Sequence, residues 1–580
     1  MGSRSGGVLM NEDEGLIGDQ ELPGNITGSE PHEKNSQPPA EASSGPGYSG
    51  KPERETDGQP VTEPEHGTGG GPEEKPGTEH GTDEGSVGKP VAGHGHGAGK
   101  HGGGKHGFGG HGNMTEGVKT LLGEPKQAII KLAIPMILAM TVQTVYNVVD
   151  AFWVSGLGTD ALASVGFFFP FYMMSMAIGM GLGVGGGSAI SRKIGLQDKE
   201  GADKIASHTM VIMFIITILY TGFFLIFIER IFLAMDSGDI TDEAVLYARI
   251  MFSGSVVIFF INVGNVILRS EGDAKRAMMA IILGSGLNII LDPIFIYTLD
   301  LGVAGAAYAT VLSISISALF MFNWLFLRKD TFVTFHFRGF RFDKVVLKDI
   351  FRVGLPAFIQ FVAMSVTMLV MNFIIVQVDS TDGIAVFSTG WRVIMITFTP
   401  VFGIGSAVTA VAGAAYGARD YRKVDVCYMY AIKIGIKIMI PAAVFMYLIA
   451  PYISLVFTQA DDGELIRDDL TLFLQISCLM YPAIALGPVS SSMFQGTGKG
   501  TAALTVTLIR TVILTPPIVL LCVYGLDLDL AGVFWGITIA NLLGTVLAYG
   551  WAKHYIKGLI CSIDPEKDGC EEFGVVPPSP

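Results

Sequence analysis

From about residue 118 onward the chain is a succession of apolar runs of roughly 20 residues set between short polar loops, each long enough to cross a hydrocarbon core about 30 Å thick. Twelve can be drawn, at 128–154, 162–187, 206–228, 246–268, 277–297, 302–327, 350–377, 384–410, 427–456, 467–490, 501–523 and 530–552. The pattern predicts an all-α membrane protein with twelve transmembrane helices, called spans 1–12 below. The first residues are polar, and the first long apolar run begins only after residue 120, so no cleavable signal peptide is expected.

Ahead of span 1 the pattern vanishes. Residues 1–117 are rich in Gly, Pro, Glu, Thr and His and nearly free of aromatic side chains. Such a segment cannot bury enough apolar surface to offset its ordering entropy, so a disordered Gly/His/acidic tail is predicted. With 19 acidic and 8 basic residues, it holds −11 of the formal charge of −14. The acidity therefore belongs to the tail, and the rest is close to neutral. The tail histidines His94, His96, His101, His106 and His111 stand in a Gly/Lys background, where a solvated low-complexity tract is a better reading than a weak metal site. Five cysteines (Cys427, Cys478, Cys522, Cys561 and Cys570) show no metal or redox spacing, and no disulfide framework is expected.

The loops alternate in charge. Those after spans 2, 4, 6, 8 and 10, and the C-terminal end, are basic, with residues such as Arg192, Lys193, Arg276, Arg338, Arg422 and Lys553. Those after the odd-numbered spans hold no Lys and only Arg230, Arg249 and Arg467, against acids such as Asp236, Asp242, Asp379, Asp461 and Asp527. Basic residues resist translocation, so the even loops and both termini are expected in the cytoplasm of a multi-pass cell-membrane protein.

Six spans echo the other six. Ile129–Pro135 (IIKLAIP) resembles Ile350–Pro356 (IFRVGLP), Lys193–Asp198 (KIGLQD) resembles Ala415–Asp420 (AYGARD), and Leu268–Ala274 (LRSEGDA) faces Phe494–Gly500 (FQGTGKG). The offset stays between 221 and 226 residues. Six spans per copy give both copies the same orientation, and parallel repeats of this kind pack as two bundles around an axis normal to the membrane, with a cavity between them. The expected organisation is a tail at 1–117, one bundle at 118–327, a basic cytoplasmic linker at 328–349, a second bundle at 350–555 and a C-terminal tail at 556–580. The two six-helix bundles would be pseudo-symmetric.

Against this apolar background a few polar residues stand out. Asp150 in span 1 and Asp292 in span 5 lie where a charged side chain costs on the order of 2.5–3.5 kcal/mol on insertion-derived scales. Gln143, Tyr146 and Asp150 recur at spacings of three and four, on one helix face, and so do Asn288 and Asp292. Pro293 has no N–H and frees the carbonyl of Ile289 beside the acid. Span 4 adds Asn262 and Asn265, with Tyr247 at its outer end, and span 6 adds Thr310. Oxygen groups converging from these faces would suit a proton or a hard cation such as Na⁺. Interhelical hydrogen bonding accounts equally well for Gln143, Asn262 and Tyr247. It accounts poorly for the two acids, because intramembrane carboxylates are rarely structural. The repeat is an internal control: at the same offsets Asp150 aligns with Met371, and Asn288 and Asp292 align with Leu514 and Ile518. The polar set occurs in the first copy alone, which points to a site there.

Other signals carry less. Gly181, Gly183 and Gly186 spell GxGxxG, but inside a span, where close helix packing is the better reading. GTGKG at Gly496–Gly500 lacks both the upstream glycine and the Ser or Thr of a phosphate-binding loop, so no ATPase is expected and active transport must draw on an ion gradient. Arg392 and Arg510 could pair with carbonyls or lipid head groups, and Lys433 and Lys437 are expected to snorkel to the surface.

Three stretches, Ala133–Gly158 (AIPMILAMTVQTVYNVVDAFWVSGLG), Asn262–Met278 (NVGNVILRSEGDAKRAM) and Leu283–Tyr297 (LGSGLNIILDPIFIY), resemble the multidrug and toxic compound extrusion (MATE) transporters, specifically their archaeal, DinF-like branch. The resemblance covers about residues 118–555. It implies a two-bundle, twelve-helix exporter that expels amphipathic, mostly cationic compounds in exchange for H⁺ or Na⁺. It also implies an ion site at Asp150, Asn288, Asp292 and Thr310 and a cavity lined by Gln143, Tyr146, Tyr247, Asn262 and Asn265. The bend of the first helix would fall at Pro135. No cofactor beyond the coupling ion is expected, no nucleic acid is involved, and the partners are small organic cations and membrane lipids around a monomer.

Two other readings are weaker. A flippase for lipids or lipid-linked oligosaccharides, from the same superfamily, would need a large cationic cavity, and no Arg or Lys faces the first-copy polar set. An intramembrane hydrolase would need a nucleophile–base pair or metal ligands, but HExxH and GxSxG are absent and His208 sits at the cytoplasmic start of span 3.

The tail should be dispensable. Met114 opens MTEGVKTLLGEPKQAI, a start that matches the short N-terminus of the family, with residues 1–113 as an extension; the intact mass of the native protein decides whether they are translated. A chain beginning at Met114 is expected to fold and export like the longer one, and a folded truncation without export would overturn this.

Overall fold

The computed structural model describes residues 114–580 apart from 236–237, 329, 459–463, 565–569 and 571–580; residues 1–113 of the expected tail, with its histidines, lie outside the described residues. Eleven helices are long and apolar enough to span a membrane: Pro125–Ser155, Thr159–Gly195, Lys199–Ala234, Ala274–Thr298, Gly302–Leu327, Lys344–Asp379, Asp382–Gly417, Tyr421–Phe457, Ile466–Gly496, Gly500–Gly525 and Asp529–Cys561. The twelfth, span 4, is a broken helix, Thr241–Ser253 and Ser255–Ser270, bent by 48°. A straight span over 246–268 was expected, and the difference has a local cause. The sequence Ser253–Gly254–Ser255 is a weak point of the kind where helices kink, and Gly254 is pressed against the Val311 side chain of span 6, where a Cβ would overlap it.

Apart from span 6, the other spans outrun their apolar cores. Span 2 continues through Ser191, Arg192 and Lys193 to Gly195 because these polar turns lie beyond the apolar run and find partners there. The repeat is also visible in the turns. Gln197 (φ 60°) precedes Asp198, whose carboxylate accepts from Gly201 N at 2.8 Å, while Arg419 (φ 57°) precedes Asp420, which accepts from Lys423 N at 3.0 Å. Each pair ends one span in a left-handed residue and caps the next with an aspartate, a residue that satisfies an otherwise unbonded N–H of the first turn.

Glycines join the halves. Gly185 of span 2 lies so close to the Ile350 carbonyl of span 7 that a Cβ would overlap it, and a Cβ on Gly181 would lie 3.0 Å from the Gly354 carbonyl. Gly195 and Gly417 meet the Ala414 and Arg192 carbonyls in the same way, and a Cβ on Gly403 of span 8 would lie 2.7 Å from Ile137 of span 1. The GxGxxG run is thus a packing face: Gly183 meets Val266 of span 4 and Gly186 meets Thr209 of span 3. Arg192 adds polar ties, donating to Asp349 Oδ1 at 2.7 Å and to the Gly496 carbonyl at 3.4 Å.

These contacts share one end of the molecule, the end of the basic loops. There a single apolar core runs from the first half into the second, taking in Ile404, Val411, Tyr428, Met493 and Ile556. Toward the acidic loops the second half has a separate core built on Met371, Phe387, Phe398, Phe473 and Phe534. The apolar core that the two halves share lies toward the basic end, and toward the acidic end the second half has a core of its own.

The segment between the halves is laced to spans 3 and 4. Asp203 accepts from Thr334 N at 2.8 Å and from its hydroxyl at 2.7 Å, and Ser207 Oγ accepts from His336 N at 3.0 Å. His208 Nε2 accepts from Asp343 N at 3.0 Å, so its proton is assigned to Nδ1, which donates to the Lys204 carbonyl at 2.7 Å. The short helix Glu116–Leu122 packs nearby with Val118 and Leu121 buried, and Lys423 of the second half donates to its Leu122 carbonyl at 2.6 Å. At the other terminus Cys561 and Cys570 form a disulfide with Cα atoms 5.4 Å apart. The expectation of no disulfide is corrected here: the spacing carries no motif, but Cys561, the last residue of the last helix, is bonded to Cys570. Among the described residues Cys427, Cys478 and Cys522 are free and buried.

Glu271, just beyond span 4, is fully buried and accepts from Val333 N at 2.9 Å. Burial raises its pKa from 4.5 to about 8. Between those values the folded protein keeps a proton that the unfolded chain has lost, so this contribution to stability is full below about 4.5 and is lost as pH rises through about 8. Thermal unfolding in detergent is expected to show stability falling over that window, and Glu271→Gln to flatten the fall. An unchanged slope in the variant would remove Glu271 as its source.

Candidate functional site

Span 5 brings Asn288 and Asp292 one turn apart on its buried face. Asn288 Nδ2 donates to Asp292 Oδ1 at 2.7 Å and to Thr310 Oγ1 of span 6 at 3.3 Å. Asp292 is completely shielded from solvent. Pro293 follows, and the helix then opens into a π-helical turn, Ile294–Thr298, a form that recurs at functional sites. Two acceptors here, Asn288 Oδ1 and Asp292 Oδ2, are buried without a hydrogen-bond partner in the described residues. Orphan oxygens of this kind are what a bound proton or cation would satisfy.

The Asp150 carboxyl of span 1 lies within hydrogen-bonding reach of Asp292. Ionised carboxylates only accept, so a hydrogen bond between the two needs a proton on one of them, and without a proton a cation must lie between. One turn beyond Asp150, Tyr297 Oη donates to the Trp153 carbonyl at 2.6 Å, and the two rings meet edge to face at 6.2 Å. This clamp fastens the ends of spans 1 and 5 and holds the carboxyls opposite each other.

Three tyrosines complete the surroundings. Tyr146, Tyr172 and Tyr247 are neighbours of one another and of Asp150, and Tyr146 and Tyr247 also neighbour Asp292. Phe168, a turn before Tyr172, packs edge to face on Tyr247 at 5.4 Å. Spans 1, 2, 4, 5 and 6 thus contribute to one polar cluster, in the part of the first half that faces the acidic loops. Sequence reasoning missed Tyr172 and Tyr297. Tyr172 ends the aromatic run Phe167–Tyr172, where one phenol among phenylalanines gives no signal, and Tyr297 lies at the span's edge, where a tyrosine is unremarkable.

The remaining predicted residues are not drawn to the carboxyls by hydrogen bonds. Asn262 Nδ2 donates to the Ile258 carbonyl of its own helix at 2.8 Å, with its side chain against Gly179. Asn265 Nδ2 donates to the Ile261 carbonyl at 3.1 Å, and its buried Oδ1 has no partner among the described residues. Gln143 is half-buried, two turns before Asp150. Span 1 runs as one helix through Pro135. Among the described residues no group of three His, Cys, Asp or Glu side chains could hold a metal ion. The Asp150, Asn288, Asp292 and Thr310 set offers two carboxyls and neutral oxygens instead, which fits a proton or a hard monovalent cation better than a transition metal.

Asn288 is the only donor that Asp292 has from its own helix, so Asn288→Ala is expected to leave a buried acceptor unpaired and cost about 1–3 kcal/mol. Thr310→Val removes one acceptor from an amide that keeps its shorter bond to Asp292 and should cost less. Thermal unfolding of both variants checks the order, and a reversed order would contradict the geometry.

The chain can be compared with known proteins. The MatE family model matches it twice, at residues 135–294 and 356–521, once in each half. Multidrug export protein MepA of Staphylococcus haemolyticus (strain JCSC1435) is 24% identical over 425 residues, which cover 73% of this chain and 92% of MepA. A solved structure of a MOP superfamily transporter from Pyrococcus furiosus, described as having a binding pocket of reverse polarity that suggests a different function, is 43% identical, with a TM-score of 0.75 over 77% of this chain and 99% of that one. A structure described as the outward-facing conformation of a multidrug resistance MATE family transporter matches with the same identity, TM-score and coverage. With both halves matched by the family model and the fold shared along nearly the whole of these solved chains, the protein is a member of the MatE family of multi-pass membrane transporters.

Proposed function

We propose that the protein is an antiporter that exports amphipathic, mostly cationic compounds in exchange for H⁺ or Na⁺, by alternating access, and that it belongs to the archaeal, DinF-like branch of the family. The observation that carries the transport reading is the pairing of Asp150 with Asp292 beside Asn288 and Thr310. Identity of 43% to a transporter from Pyrococcus furiosus supports the branch. The orientation follows the loop charges, with the basic loops and both termini cytoplasmic. The shared core then lies toward the inner side, which leaves the carboxyl pair on the outer side.

Transport in this reading is competition for one negative site. Protonation or Na⁺ binding from outside neutralises the carboxyl pair, weakens its hold on a cationic substrate and favours release. The neutralised site then allows the halves to rearrange, and loss of the ion inside restores the negative charge for the next substrate. A ligand shifts such an equilibrium only by its differential affinity for the two states, so an ion held by both faces of the cycle equally would drive nothing. The protein works as a monomer among membrane lipids.

Proteoliposomes with an imposed proton or sodium gradient and a fluorescent organic cation test the reading. Asp150→Asn keeps size and hydrogen-bonding capacity but cannot titrate, so it is expected to abolish gradient-driven export while the protein stays folded; Asp292→Asn should do the same. Met371, the counterpart of Asp150, is buried in the second half, and Met371→Leu should cost at most about 1.5 kcal/mol and spare transport. Full export by the Asp150→Asn protein, or equal loss in Met371→Leu, would show that the site is elsewhere. Comparing the two gradients separates H⁺ from Na⁺ coupling.

A further inference from the structure

Arg510 carries a permanent positive charge deep in a membrane helix. Span 11 runs Gly500–Gly525 and places Arg510 ten residues from its nearer end. At 1.5 Å per residue that is roughly 15 Å, too deep for the guanidinium to snorkel along its own helix to the head groups. Intramembrane arginines face a bundle interior or a cavity and find a counter-charge there.

The side chain does point into the second half. A Cβ on Gly544 of span 12 would lie 2.7 Å from Arg510 Cγ, so this glycine provides space for the stem, and Nη1 lies 3.5 Å from where a Cβ on Gly487 of span 10 would be. Yet among the described residues no hydrogen bond or ion pair reaches the guanidinium, and no carboxylate acts on it. The polar groups nearby are already engaged with one another. Gln360 of span 7 donates to Ser491 Oγ at 3.1 Å and to Thr507 Oγ1 at 2.9 Å, and accepts from Gln495 Nε2 at 3.0 Å. Thr507 lies one turn before Arg510 and Ser491 one turn after Gly487, so this neutral network flanks the arginine without neutralising it. Arg510 also sits in a π-helical stretch, Ile509–Leu514, a local widening of the kind found at functional sites. The first copy has no equivalent: at the repeat offsets Arg510 aligns with Gly284 and Gln360 with Ala139.

We propose that Arg510 is the head-group site for an amphiphile with an anionic oxygen group, a phosphate or a carboxylate, whose apolar part stays in the membrane. The guanidinium presents a planar fork of donors that matches such oxygens bidentately. A ligand that supplies the missing counter-charge at this depth in the membrane gains from an interaction strengthened by the low surrounding dielectric. The ligand can be a membrane lipid held in the second half or an acidic amphiphile carried by the transporter, and the chemistry at Arg510 is the same in both cases.

Native mass spectrometry of delipidated full-length protein distinguishes these. Phosphatidylglycerol, laurate and dioleoylglycerol (which has no anionic group) are titrated against wild type, Arg510→Gln and Arg510→Lys. A saturable anionic adduct is expected that weakens by roughly tenfold or more in Arg510→Gln, as for loss of a charge-assisted hydrogen bond, and is partly regained in Arg510→Lys. Binding of phosphatidylglycerol alone identifies a lipid site, binding of laurate alone a site for acidic cargo, and binding of both a site that reads the head group only. Wild-type protein that binds neither anion better than dioleoylglycerol overturns the proposal, without need of any variant. Equal anionic adducts in wild type and a folded Arg510→Gln protein overturn it too.

Discussion

Two carboxyls held against each other inside a membrane protein cannot both stay bare. Asp150 and Asp292 lie within hydrogen-bonding reach, and either a proton or a cation must join them. Much of the first half serves that constraint. Asn288 fixes one oxygen of Asp292 and ties it to Thr310. Tyr297 pins span 5 to span 1 at the Trp153 carbonyl, and Tyr146, Tyr172 and Tyr247 surround the acids with groups that are polar at one atom and apolar elsewhere. Such phenols can meet a cation's charge without adding a competing one. The aromatic packing behind them, Phe168 on Tyr247 and on Phe252, sets their positions.

Duplication supplied the scaffold, and divergence supplied the chemistry. The turns are alike in both halves, down to the left-handed residue before the capping aspartates Asp198 and Asp420. This capped turn after the second span of each copy persists in both. The polar interiors differ. Where the first half has Asp150, the second has Met371 in a core with Phe387 and Phe398, and where the second half has Arg510, the first has Gly284. Each half has kept its own polar interior, with charges of opposite sign.

The sequence made most of the architecture readable because a bilayer is a severe solvent: apolar length reports spans and loop charge reports sides. It also made Asn288, Asp292 and Asp150 readable, because polar groups in an apolar background are conspicuous. The bend at Gly254 was not readable, since one glycine in a span is commonplace and only Val311 of another helix reveals the close approach. Tyr172 was hidden by its aromatic neighbours. Asn262 and Asn265 looked like cavity residues, yet their amides turn back to carbonyls of their own helix, a local bond that residue type and spacing could not distinguish from an interhelical one.

Span 1 links the site to the seam between the halves. Near the acidic loops it carries Asp150 against span 5, and toward the basic loops it packs Ile137 against Gly403 of span 8. The helix is unbroken between these points, but Pro135 leaves the Lys131 carbonyl without its helical N–H on the basic side of that contact. A rigid segment therefore connects the carboxyl pair to the seam, and a weak point lies just past it. The seam itself is tight: its glycine faces meet backbone carbonyls with no space for a Cβ. An element with two discrete arrangements is what a binding event must bias if it is to change access, and spans 1 and 2, the latter with Tyr172 at the site and Gly181 and Gly185 at the seam, both reach from one to the other.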